Sequence, residues 1–403
     1  MILVVNQTQN AEQHVSAANQ AFAAELQARF TRTWASDVSW GLTLYHDPFS
    51  PRDILLVDRF SDGLKFPGKG GVGQARKTGA DLAAFLIHQR RVRSAWIHCS
   101  DADVRLPQRY FACSTGLGNG SLMDTSALVY PFRHVHDSDD KIMQVTRLYE
   151  YSLRYYVAGL SYARSPYAFH TIGSTIAVNA AHYARVRGFP RRQAGEDFYL
   201  LNKLAKVGTV RQLQAETDCE PIEISARVSD RVPFGTGAAT SRLMEMENPA
   251  RDFLLYHPSV FDLLRGWLGS LSSFWQSGSS DITAILTSLD LQVLTAGIAE
   301  SGAAGALQHA LRQSSDATQF NKQMHTWFDA FRTLKLVHYL RDNHLPSISF
   351  ESLMKEHDLD HLLKREPALP GLHDSLGTWL DVSSGNEERV RSPVFGGKPD
   401  PLG

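Results

Sequence analysis

Over roughly the first 245 residues, short apolar runs alternate with longer amphipathic stretches, the rhythm of an α/β domain built on a mostly parallel sheet. Ile2-Leu3-Val4-Val5 is uniformly apolar, as a short buried strand would be, and a polar, alanine-rich helical stretch runs from about Ala11 to Phe30. Ile54-Leu55-Leu56-Val57 reads as a second buried strand ending at Asp58, and Ser94-Ala95-Trp96-Ile97 as a third ending near Asp101. Between these two, a glycine cluster from Gly68 to Gly73 opens a helix from about Gln74 to Gln89. Asp139 to Leu160 is helical in pattern, with Met143, Leu148, Tyr151 and Tyr155 on one face. Thr175 to Val178 is a further strand, and Ala180 to Val186 a short helix stopped by Gly188 and Pro190.

After Pro249 strand signals fade and helical patterns dominate, among them Ile282 to Ile298, Ala303 to Leu311 and Phe320 to Leu340. The expected organisation is therefore an α/β domain over 1–245, a helical domain over 246–390 and a flexible, Pro/Gly-rich tail over 391–403. The longest apolar stretch, Phe253 to Trp275, is interrupted by Asp262 and Arg265, which predicts an amphipathic helix rather than a membrane span. Its aromatic end, Trp267 to Trp275, is expected in a core.

Composition narrows the functional classes. The chain has 43% hydrophobic and 21% charged residues, as a folded soluble protein does, and its net charge of −1 gives no electrostatic reason to expect nucleic acid as a partner. Cys99, Cys113 and Cys219 are odd in number, widely spaced and without CxxC, which points to free thiols in a reducing compartment. Met1 leads straight into an apolar run with no basic segment before it, so a cytoplasmic location is expected.

The candidate chemistry is carried by carboxylates. Asp101-Ala102-Asp103 puts two of them one residue apart at a strand end, where a hard divalent cation can bind through oxygen. Asp137/Asp139 and Asp358/Asp360 repeat the spacing, but the first lies in an acidic run at a helix start and the second between His357 and His361, on what reads as a solvated face. In Gly195-Glu196-Asp197-Phe198 an acidic pair opens a helical pattern, where a carboxylate can accept a proton from a hydroxyl. Asp58, at a strand end, can accept hydrogen bonds from a ribose or base. Gly71 to Gly79 sets Arg76 and Lys77 at a loop-to-helix junction suited to phosphate, without the spacing of a P-loop or a dinucleotide fingerprint. Arg227 and Arg231 precede the glycine-bracketed turn Gly235-Thr236-Gly237, a loop able to close over an anion.

In this order the elements resemble the family 2 glycosyltransferases, which have the GT-A fold, a Rossmann-like mixed sheet that binds nucleotide-diphosphate sugars. The resemblance spans about residues 1 to 240. It implies that Asn6 and Asp58 bind the nucleotide, that the segment holding Arg76 lies beside the donor, and that Asp101 and Asp103 hold Mn²⁺ or Mg²⁺ and through it the diphosphate. It further implies Gly173 and Ser174 on the acceptor side, Asp197 as catalytic base with Glu196 as its neighbour, and Arg227 and Arg231 on a donor-closing loop. Q-x-x-R-W, the mark of processive members, is absent, which implies single addition by a hexosyltransferase. The helical region is the expected surface for any self-association. His257, the first histidine after the acidic pair, is a weaker metal candidate. The competing expectations are a nucleotidyltransferase that releases pyrophosphate, and a GT-A-like scaffold without turnover.

Overall fold

The computed structural model describes residues 1–68, 71–115, 124–136, 140–215, 217–228 and 235–384. The chain forms two compact units, one from residues 1–131 and 171–220, the other from 132–170 and 221–403.

The first unit holds two four-stranded sheets. In one, the strands lie in the order Ile2–Asn6, Asp53–Arg59, Leu42–His46, Thr31–Ala35. The first pair is parallel, which sets Val5 beside Asp58 and Asn6 beside Arg59; the other two pairs are antiparallel. In the second sheet the order is Thr209–Gln212, Thr125–Val129, Ile176–Asn179, Trp96–His98, and only the first pair is parallel. The sheets are thus mixed rather than mostly parallel. A tight connection between Ala35 and Leu42 explains part of this: it is long enough for an antiparallel hairpin and too short for a crossover. Gly41 closes that connection at φ 58°, a left-handed conformation that glycine adopts without steric cost.

Packing follows the apolar pattern where the pattern is strong. Val5, Tyr45, Ile54 and Leu56 form a core with Ala23 and Leu26 of the Gln13–Arg29 helix. The Val72–His88 helix approaches the first strand so closely that a Cβ on Gly79 would lie 3.1 Å from Val4 Cγ2. Cys113 and Cys219 are joined by a disulfide, with Cα atoms 5.6 Å apart, which corrects the expectation of free thiols; among the three cysteines only Cys99 is free, and it is buried. Two cysteines 106 residues apart in sequence become neighbours through the fold, which no local spacing could signal. The case for a reducing compartment built on free thiols falls with it.

The second unit is mainly helical. Its parallel strand pair, Phe132–Val135 with Ile222–Ser225, packs with the Asp140–Tyr162 helix. The Ser259–Ser277 helix buries Trp267, Leu271 and Phe274 completely or nearly so, and Trp267 meets Phe328 edge-on at 5.6 Å. The expected helical run from Phe320 to Leu340 is divided in two, because Asp329 caps a new helix by accepting from the backbone N–H of Arg332. Among the described residues no helix is long and apolar enough to cross a membrane.

Candidate active site

The Val72–His88 helix carries Arg76 on its second turn. The strand Trp96–His98 delivers Asp101 three residues beyond its end. Gly195, at φ 71°, turns the chain into the Glu196–Leu204 helix, so that Glu196 and Asp197 stand in the first turn, where the helix dipole favours negative charge. These three segments meet at one guanidinium. Arg76 Nη2 donates to Asp101 Oδ1 at 2.5 Å, and Nη1 donates to Glu196 Oε1 at 2.9 Å. The two acidic motifs, far apart in sequence, therefore share a single arginine.

Gly173 completes the arrangement. A Cβ there would fall 1.3 Å from Arg76 Nη1, so the guanidinium occupies the space that any larger residue would fill. Gly173 and Ser174 are buried in a short 3₁₀ turn that leads into the strand Ile176–Asn179. The expected small-residue strand on the acceptor side is thus a support for Arg76 before it is anything else.

Burial and charge set the electrostatics. Burial alone would depress the Arg76 guanidinium, but Asp101, Glu196 and Asp197 outweigh it and hold the group firmly cationic. Burial pushes the Glu196 carboxyl above its ordinary value, against the pull of Arg76 and with the repulsion of Asp197. Asp197 is raised for the same first reason, again opposed by Arg76, while its Oδ1 accepts from the Phe198 N–H at 2.7 Å. Three carboxylates face one guanidinium, an excess of two negative charges. A divalent cation would cancel that excess, and the Asp101 side chain, 43% exposed, is open to one. Asp103, two residues on, is partly buried. Among the described residues no group of three or more histidine, cysteine or acidic side chains is placed to hold a metal ion. An ion held by one or two carboxylates and completed by phosphate oxygens is the usual habit of Mg²⁺. Mn²⁺ accepts the same oxygen donors.

The remaining predicted residues are placed as follows. Asp58 Oδ1 accepts from the N–H groups of Phe60 and Ser61, both at 2.9 Å, and so shapes the turn after its strand. Asn6 lies at the end of the neighbouring strand, its carbonyl accepting from Asn19 Nδ2. Glycines at 71 and 73 answer to packing: a Cβ on Gly71 would lie 2.7 Å from Gln193 Cα, and one on Gly73 2.6 Å from the Arg192 carbonyl. Lys77 pairs with Asp81 at 3.0 Å. Arg227 belongs to the second unit and is exposed, and Arg231 lies outside the described residues, as do Asp137 and Asp139. His257 packs its ring against His357 and accepts from the Ser259 N–H, and Asp360 pairs with Lys364.

Two features of the region had no sequence signal. His98, on the strand before Asp101, sits against Tyr110, Phe111 and Tyr130, and burial lowers its imidazole to about 4. Burial also pushes the Cys99 thiol up to about 12, so it is held as the neutral thiol. Comparison with known proteins found no matching family model, no matching curated protein and no matching solved structure.

Proposed function

We propose that the first unit is a metal-assisted glycosyltransferase that moves a sugar from a nucleotide-diphosphate donor to an acceptor hydroxyl. The observation that carries this is the convergence of Asp101, Glu196 and Asp197 on Arg76, with a net excess of negative charge beside a reachable carboxylate. The order of the motifs along the chain, which resembles the family 2 enzymes, supports the same assignment.

In this proposal Asp101 and Asp103 would hold Mn²⁺ or Mg²⁺, which would supply charge neutralisation for a departing diphosphate. The chain's own residues do the rest. Glu196 is the more buried acid and is locked to Arg76, so it serves to position that guanidinium. Asp197 is the acid left to accept a proton, and its raised pKa makes it a stronger base than an ordinary aspartate. Asn6 and Asp58, at adjacent strand ends, are assigned to the nucleotide by the resemblance.

Product analysis tests the assignment. Incubation with sugar nucleotides and Mn²⁺ should release a nucleoside diphosphate, resolved by phosphorus NMR, and Asp197→Asn should slow its release by about 10²-fold or more. Release of pyrophosphate instead would mean nucleotidyl transfer. Near-full turnover by Asp197→Asn would remove it as the base.

A further inference from the structure

We infer that the first unit carries an arginine-rich face that docks it on an anionic phospholipid surface. Charge is unevenly spread along a chain whose net charge is only −1. No Asp or Glu occurs between Asp81 and Asp101, or between Glu150 and Glu196. The first of these stretches holds Arg90, Arg91 and Arg93, and the second Arg185, Arg187 and Arg191, all of them exposed. Among the described residues none of these six side chains has a carboxylate partner. The fold sets the two stretches side by side. The Ala180 N–H donates to the Ala95 carbonyl at 2.9 Å, the Tyr183 hydroxyl donates to Asp81 Oδ1 at 2.7 Å, and Lys77 Nζ donates to the Arg187 carbonyl at 3.4 Å. The Val72–His88 and Ala180–Arg185 helices therefore run antiparallel, with an arginine cluster at each end of a strip about 20 Å long, at about 1.5 Å per helical residue. Asp81, which lies on this strip, is already matched by Lys77 at 3.0 Å.

Arg90 and Arg187 close their helices in left-handed conformations, at φ 57° and 62°. Glycine costs least there, yet both positions carry a cation. A helix C-terminus favours positive charge, which accounts for one arginine at each end of the strip but not for a cluster. Apolar side chains stand among the arginines: Phe85, one turn beyond Asp81 on the same helix face, is 56% exposed, and Val92 is 41% exposed. This mixture suits a membrane interface, where the phenyl ring and the valine enter the acyl boundary and the guanidinium groups hold lipid phosphates in bidentate fashion. Nucleic acid offers the same phosphates, but it gives Val92 no apolar counterpart, and a chain of net charge −1 lacks the bulk attraction that such partners use. A membrane meets one face of a protein, so a local excess of positive charge is enough.

Vesicle flotation of the full chain tests this, with phosphatidylcholine alone and with phosphatidylcholine mixed with phosphatidylglycerol. Binding is expected only to the anionic vesicles, and should fall steeply with added salt. Each basic residue at such a surface is worth about fivefold in partitioning, so Arg91→Gln/Arg93→Gln and Arg185→Gln/Arg191→Gln should each weaken binding on the order of 20-fold. Arg90→Gly/Arg187→Gly should weaken it by a similar factor and keep its melting temperature, because glycine suits both backbones; a damaged fold then cannot explain the loss. Phe85→Ser should weaken binding about tenfold. Arg312→Gln/Lys322→Gln, which removes the same charge from exposed sites elsewhere on the chain, should bind as the wild type does. Absence of binding to anionic vesicles, equal binding to neutral ones, or arginine or Phe85 variants no weaker than the Arg312→Gln/Lys322→Gln control overturns the inference. So does tighter binding of a single-stranded or duplex oligonucleotide through the same arginines, which would make the face a nucleic-acid surface. None of these outcomes bears on sugar transfer, which flotation does not read.

Discussion

Gly73 and Gly173 are both glycines without positive φ, and each is there because something else occupies the space of a side chain. At Gly73 the obstruction is backbone, the carbonyls of Arg192 and Pro190. Backbone cannot give way cheaply, so Gly73→Ala should cost about 1–3 kcal/mol, measured by denaturant unfolding. At Gly173 the obstruction is the Arg76 guanidinium, so Gly173→Ala should push it off the buried Glu196 and lose stability together with function. Asp197 gives a pH signature. Its carboxyl is raised above 3.8, chiefly by burial, and Arg76 holds it down in opposition. The acid limb of kcat/KM should therefore lie above pH 3.8 and move to higher pH in Arg76→Gln; an unmoved limb would mean that another group sets it.

At the scale of elements, the second unit is tied internally by a buried polar network. Glu150 accepts from the His134 backbone N–H, from His134 Nδ1 and from Arg154 Nε at 2.8–2.9 Å. Arg154 also donates to Glu366 at 2.6 Å and to the Phe132 carbonyl, joining a strand, a helix and a distant loop. Removing the guanidinium strands two buried carboxylates, so Arg154→Met should destabilise by about 3–5 kcal/mol. Burial alone would raise the Glu150 carboxyl, but the hydrogen bond from His134 and the charge of Arg154 hold it at about 2. A depressed acid contributes stability that is complete above its unfolded value near 4.5 and is lost as the pH falls toward 2. Circular dichroism should show this loss between those two values, and Glu150→Gln should be less stable at neutral pH but lose less on acidification.

Elements were legible in the sequence where their apolar pattern was continuous. Ile2–Asn6, Asp53–Arg59 and the Val72–His88 helix lie close to where their runs predict them. The Thr31–Ala35 strand was not legible, because all five of its residues are exposed at a sheet edge and carry no alternation. Thr125–Val129 is buried at every position, yet only three of its five residues are apolar, so it lacks the run that marks a buried strand. The acidic motifs of the candidate site, and Arg76 as a candidate cation, could be picked out by type and order, but not the bonds that join them. A bond between residues 120 apart is a property of the tertiary fold.

Across the first unit as a whole, the Cys113–Cys219 disulfide closes a long loop between the segment after Asp103 and the one after the Thr209–Gln212 strand. Such a cross-link restricts the unfolded chain, and breaking it should cost about 2–5 kcal/mol. Unfolding with and without reductant, and with Cys219→Ser, should show matching losses of this size; equal stability in all three would mean that the bond is not formed in solution.

The central claim is that Asp101, Asp103, Glu196, Asp197 and Arg76 form one metal-assisted sugar-transfer site. Its most direct test is nucleoside diphosphate release across a panel of sugar nucleotides, with and without Mn²⁺, for the intact protein and an Asp101→Ala/Asp103→Ala variant. The account predicts Mn²⁺-dependent release from one donor and its loss in the variant. No release from any donor under any metal, or release that survives in the variant, would contradict it.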